Sequence, residues 1–185
     1  MAASSLKNMA LCLTGVCLVC SAVLGGVYAM TCEPIAEASR KALVESIGRV
    51  LPEGLEVSEA LACGDIEYYA GKDAQGTVAA YAVKTSSIGF GGPLVLMVGV
   101  LPDGTVYNTS VLSHSETPGL GAKCQSDETF LRQWRGFGPE KVLKVTKDGG
   151  DVDAITASTI TSRAYAEAVS KAVELVKNMG GQTNE

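Results

Sequence analysis

Apolar and polar positions follow different rules in different parts of the chain, and the first rule is an unbroken apolar run. Residues Ala10 to Met30 (ALCLTGVCLVCSAVLGGVYAM) carry no charged side chain. At helical rise the run reaches roughly 30 Å, the thickness of a bilayer's hydrocarbon core, so a membrane-spanning helix is predicted over 10–30. A cleaved signal peptide is the alternative, with Val27-Tyr28-Ala29 as its cleavage site. The run is longer than a usual signal core, which favours an uncleaved anchor. Lys7 precedes the run and Glu33 and Glu37 follow it. The positive-inside rule then makes residues 1–9 a cytoplasmic tail and exports everything after the span.

Beyond the span the pattern becomes periodic. Ile35, Ala38, Ala42, Ile47 and Val50 recur at helical spacing over Pro34 to Leu51, with Pro34 suited to a first turn and Pro52 and Gly54 ending the run. Thr77 to Thr85 and Leu94 to Val100 are short runs of the residues that suit a buried sheet. Leu101-Pro102-Asp103-Gly104 is a turn, and Thr105 to Leu112 its returning strand, which predicts a β-hairpin. A short helix is expected within Asp127 to Phe137, with Phe130, Leu131 and Trp134 on one side, and a further strand over Lys141 to Thr146. A last helix, Thr161 to Met179, buries Tyr165, Ala168, Val169, Ala172, Leu175 and Val176, and Gly180-Gly181 stops it. Helices at both ends of a hairpin-based, mainly antiparallel sheet give an α+β fold, not alternating βαβ units. The exported domain is read as one unit over 31–180, followed by a disordered tail, 181–185.

Charge changes the picture by exclusion. The exported part holds 14 of the 15 basic residues against all 20 acidic ones, a formal charge of −6. That balance offers no electrostatic footprint for nucleic acid. Cys12, Cys17 and Cys20 lie in the span, where thiols pack as small apolar residues. Cys32, Cys63 and Cys124 are an odd number in a disulfide-permissive compartment, which leaves room for one bridge and one free thiol without naming the pair. Gly89-Phe90-Gly91-Gly92-Pro93 lacks the lysine and spacing of a nucleotide P-loop, so loop geometry accounts for its glycines.

Two stretches exceed what packing requires. In Val152 to Arg163 (VDAITASTITSR) five hydroxyls, Thr156, Ser158, Thr159, Thr161 and Ser162, crowd the start of the last helix. Capping uses one or two of them, whereas phosphate gathers at helix N-termini, where free N–H groups and the helix dipole meet it. The other stretch, Ser113 to Lys123 (SHSETPGLGAK), is a structured loop with the single histidine, His114, beside Glu116, Thr117 and Lys123. One histidine makes no metal site, and nothing places a nucleophile beside it.

ETPGLG followed about forty residues later by DAITASTITS resembles RnfG, the FMN-binding member of the Rnf electron-transport complex. A relative of that family is NqrC, of the sodium-pumping NADH:quinone oxidoreductase. The resemblance covers nearly the whole chain, including the GFGGPLVLMVGV strand and a Trp-Arg-Gly-Phe segment. It implies an electron-carrier subunit that does not catalyse alone, in the membrane of a bacterium or archaeon. The implied partners are integral-membrane and iron–sulfur subunits, with ferredoxin and NAD as terminal reactants and Na⁺ or H⁺ moved across the membrane. It also implies that a flavin transferase joins the phosphate of FMN to Thr159. The same resemblance implies that Asp153, Thr156, Ser158 and Thr161 occupy the other positions of that motif, and that Glu116, Thr117, Gly119, Leu120, Gly121 and Lys123 would lie against the flavin ring. Ala157 stands where the family has glycine and Ser158 where it has alanine. An NqrC-like carrier, and an anchored binding module without redox chemistry, are the competing readings.

Overall fold

The computed structural model describes residues 2–64 and 66–181. It divides into two units, one up to Ala42 and one from Leu43 onward. The first unit is entirely helix, the beginning of α1 (Ala2–Val50). Within α1 an 18-residue window has a mean hydropathy of 2.2, long and apolar enough to cross a membrane. The expected break at Pro34 does not occur, because the helix runs through it. Proline removes one N–H from the ladder and crowds the carbonyl four residues back. One turn earlier, Thr31 and Cys32 donate to the carbonyls of Val27 and Ala29 at 2.8 and 3.6 Å. Glu, Ala and Leu on the far side of the proline are good helix formers, so the loss stays local.

The second unit is built on a six-stranded antiparallel sheet: β1 (Glu56–Val57), β2 (Leu61–Cys63), β3 (Ile66–Lys72), β4 (Val78–Ile88), β5 (Pro93–Val100) and β6 (Val106–Ser113). The order is β1-β3-β4-β5-β6, with β2 also paired to β3. The strands predicted between 77 and 112 and the β5–β6 hairpin are present, and β4 extends to Ile88, pairing with Pro93 across the glycine-rich link. The apolar pattern does not predict the strands between 56 and 72. β1 and β2 are exposed two- and three-residue edges, and β3 owes its extended form to eleven-residue β4 beside it.

Side chains alternate across the sheet. Val83, Leu94, Leu96, Val98 and Val100 face one core, closed by α4 (Thr159–Gly181) and by Phe130, Trp134 and Phe137. Ala80, Ala82 and Met97 face a second, closed by Ile47, Val50 and Leu51 at the end of α1. Gly99 is required there, because a Cβ would overlap the Val50 carbonyl. Asn108 donates to the Arg49 carbonyl at 2.9 Å and so caps α1 from β6. Tyr165 stacks on Trp134 at 5.0 Å and donates its hydroxyl to Thr109 at 2.8 Å, tying α4 to β6.

Three other expectations shift. The strand over Lys141 to Thr146 is a loop: only Val145 bridges, to Val152, before a 3-10 turn at Thr146–Asp148. The short helix expected within Asp127 to Phe137 is present as α3 (Glu128–Arg132), capped by the Asp127 side chain, and a further helical turn, α2 (Lys123–Ser126), precedes it. Helix α4 starts two residues earlier than the pattern indicates and includes Gly180 and Gly181, while the rest of the expected tail lies outside the described residues. Cys32, Cys63 and Cys124 are all free thiols, the last buried.

Candidate functional site

Three loops converge at the N-terminal end of α4. The first is the tip of the β4–β5 hairpin, where Gly89 donates to the Gly92 carbonyl at 2.9 Å. A Cβ on Gly91 would overlap the carbonyl of Ser115, so only glycine lets the tip lie against the second loop. That loop turns at Thr117–Leu120, with Leu120 donating to the Thr117 carbonyl at 3.2 Å and Gly119 at a φ of +77°. Pro118 and Gly119 in the middle positions are the residues a type II turn selects.

Glu116 joins all three. It is 6% exposed, and its Oε1 accepts from the Gly91 N–H at 3.2 Å while Oε2 accepts from the Thr161 hydroxyl at 2.8 Å. The carboxylate and burial together push the Cys124 thiol up to about 11, burial being the larger cause. His114 stays at the loop's edge, with Nδ1 accepting from the Glu116 N–H and Nε2 toward Gln125 Oε1 at 3.1 Å.

The third loop leads into α4. Ser158 donates its backbone N–H to the Ile155 carbonyl at 3.0 Å, closing a turn in which Ala157 sits at a φ of +61°. Among the described residues it is the one non-glycine with a positive φ, a conformation that glycine adopts without the steric cost of a Cβ. Ser162 staples the turn: its hydroxyl accepts from the Ile155 N–H at 2.9 Å and donates to the Ser158 carbonyl at 3.0 Å. Two of the five hydroxyls therefore hold the fold, Thr161 through Glu116 and Ser162 through this staple. Thr159, half-buried at the first turn of α4, has the Lys147 ammonium 3.5 Å from its Oγ1.

A pocket of about 350 Å³ opens between the loops, lined by Glu116, Thr117, Leu120 and Gly121 on one side and by residues 157–161 on the other, with Phe90 over its rim. Glu116, Thr117, Leu120, Gly121, Ser158, Thr159 and Thr161, all candidates from the sequence, thus meet at one site. Asp153, Thr156, Gly119 and Lys123 lie outside its lining. Asp153 is a backbone anchor, exchanging bonds with the Gln133 amide at 2.8 and 3.1 Å. Phe90, Ile160 and Lys147 join the site without having been candidates. A lone aromatic inside the glycine-rich link is a signal for Phe90, while nothing in the pattern marks Lys147.

A family model described as an FMN-binding domain matches residues 89–174, a stretch that contains every residue lining the pocket. The chain is 34% identical over 172 residues to the G subunit of the proton-translocating ferredoxin:NAD(+) oxidoreductase complex of Clostridium ljungdahlii, covering 91% of this chain and 90% of that protein. It is 36% identical over 171 residues to the G subunit of the ion-translocating oxidoreductase complex of Vibrio cholerae, covering 80% and 79%. Among solved structures, Shewanella oneidensis NqrC shares the fold, with a TM-score of 0.50 at 21% identity over 72% of this chain and 71% of that one. Kinship with ion-translocating complexes, together with the apolar stretch of α1, supports association with a membrane. With identity above 30% along nearly the full length of such relatives, the chain belongs to the G-subunit family of ion-translocating oxidoreductase complexes.

Proposed function

We propose that this protein is the electron-carrier subunit of a membrane-bound ferredoxin:NAD oxidoreductase, holding FMN through a phosphodiester on Thr159. The observation that carries this reading is the meeting of the Thr159 hydroxyl, the free first-turn N–H groups of α4 and the Glu116–Gly121 loop at one pocket inside the FMN-binding match. The residues fit the group at both ends. The start of α4 and the Lys147 ammonium suit a phosphate. Phe90, Leu120 and Ile160, all large and exposed at the pocket, suit an apolar ring that would cover them.

FMN, when bound, supplies the electron transfer. The chain's part is to hold and orient it. Glu116 fixes the spacing between the loop and α4, and the tight Thr117–Leu120 turn sets Thr117 and Leu120 in the pocket wall. Phe90 and Leu120 would pack against the ring and shield that face of it from water. Attachment forms a bond from Thr159 Oγ1 to phosphorus, releases the hydroxyl proton and breaks the phosphoanhydride of a flavin dinucleotide donor, expelling a nucleoside monophosphate. A tether keeps the carrier at its site between partners, which raises its effective concentration there. The partners in this reading are the integral-membrane and iron–sulfur subunits, and a flavin transferase for maturation. Lys7 ahead of the span supports an N-terminus in the cytoplasm and a domain on the other side.

Co-expression with a flavin transferase tests the assignment. The protein band on a denaturing gel should fluoresce yellow-green, intact mass should rise by one FMN phosphoester, and Thr159→Ala should abolish both while leaving the circular dichroism unchanged. Label retained in that variant moves the bond to another hydroxyl, and a colourless wild type favours a binding module without redox chemistry.

A further inference from the structure

We propose that Lys147 is the counter-ion of the phosphate on Thr159, a flavin-nucleotide binding residue supplied by the loop ahead of α4. This role depends on attachment at Thr159. Lys147 Nζ lies 3.5 Å from Thr159 Oγ1, long for a hydrogen bond to a hydroxyl. A phosphoryl group on that oxygen carries acceptor atoms one bond further out and adds a full negative charge. The same ammonium then has a partner worth holding.

The loop is built to keep Lys147 in place and leave it free for that partner. Its base is closed by Thr146 donating to the Val152 carbonyl at 2.9 Å and Val152 to the Lys144 carbonyl at 3.0 Å. Its tip is tied to α4 by Asp148, whose Oδ2 and Oδ1 receive Arg163 Nε and Nη2 at 2.6 and 2.8 Å. Arg163 stands one helical turn beyond Thr159, so the bridge holds the loop against the turn that bears the hydroxyl. It also occupies both oxygens of the nearest carboxylate to Lys147 in sequence. Among the described residues Lys147 has no carboxylate within ion-pair distance, whereas Lys84 and Lys171 each have one. In an exported part of net charge −6, a phosphate arriving at α4 meets an overall negative field, which a cation at the site offsets. The helix start offers partial positive charge, and Lys147 offers a whole one.

Lys144 gives the control. It lies on the same loop and carries the same charge, but lines a different pocket with Asp148 and Arg163. The full-length chain is co-expressed with a flavin transferase as wild type, Lys147→Met, Lys147→Arg and Lys144→Met. Labelling rate is read from in-gel fluorescence, and the phosphodiester by ³¹P NMR of the labelled proteins. Lys147→Met should label about tenfold more slowly, the loss of one charge-assisted bond. Its ³¹P resonance should shift and narrow as the tether loosens. Lys147→Arg should return both toward wild type, and Lys144→Met should match wild type. Lys147 is exposed, so the urea midpoints of the unlabelled chains should agree. Wild-type labelling rate and resonance in Lys147→Met overturn the role, as does an equal effect in Lys144→Met. Peptide mass mapping of the wild type keeps the two ideas separate: flavin on any residue but Thr159 overturns the attachment reading, and the counter-ion with it.

Discussion

On one wall of the pocket Glu116 is sealed, with both carboxylate oxygens occupied by the Thr161 hydroxyl and the Gly91 N–H. On the other, Thr159 is half-buried, and among the described residues the side-chain donor beside its hydroxyl is the Lys147 ammonium at 3.5 Å. Both residues are polar, and both line the same cavity. They differ in whether their hydrogen-bonding capacity is spent. A buried carboxylate with its acceptors filled positions three segments of chain and is costly to disturb. An open hydroxyl at a helix start costs the fold little to modify, which is what an attachment point requires.

The contrast can be broken most forcefully from the sealed side. Gly91→Ala sets a Cβ against the Ser115 carbonyl, where backbone must move, and should cost about 2–4 kcal/mol by urea denaturation. A midpoint unchanged within error would mean that the hairpin tip is not pinned to the loop. Glu116→Ala leaves the Thr161 hydroxyl and the Gly91 N–H without their acceptor and should cost about 2–3 kcal/mol, with Glu116→Gln retaining part of that. Equal losses in the two variants would show that shape contributes nothing and that the charge and second acceptor oxygen, which glutamine lacks, hold the loop.

A smaller effect tests the same carboxylate through its neighbour. Cys124 holds its proton up to about 11 in the folded chain against an ordinary value of 9.0, because burial and the Glu116 charge disfavour the thiolate. The folded state therefore binds the proton more tightly than the unfolded one. The stability this contributes is complete below pH 9 and is lost as pH rises toward 11. Burial pushes the Tyr165 hydroxyl the same way, so it adds to the decline. Cys124→Ala should flatten the pH 9–11 slope in urea titrations, and a slope identical to wild type would contradict the assignment. The smallest change lies on the open wall. Ala157→Gly removes the strain of a left-handed alanine and should stabilise by about 0.5–1 kcal/mol, offset in part by unfolded-state entropy. Destabilisation would show that the alanine methyl makes a contact that outweighs its backbone cost.

Legibility in the sequence followed the physics of each element. Helix α4 and strand β5 advertise themselves because one face, or both, is buried against a large core, so Tyr165, Val169 and Leu94 to Val100 carry the pattern. β1 and β2 bury almost nothing and left no pattern to read. Lys141 to Thr146 alternates in composition but has no strand to pair with beyond the single Val145–Val152 bridge. Pro34 signals a helix start where neighbours favour one, and here helix formers on both sides overrode it.

Composition and spacing alone determined the apolar N-terminal helix, the α+β class and the two polar stretches that meet at the site, since burial against water imposes a period that residue types reveal. Which of five clustered hydroxyls is tied down and which remains open was decided only in three dimensions. Thr161 is held by a glutamate 45 residues away and Thr159 is approached by a lysine 12 residues away, and pairings of that kind leave no period along the chain.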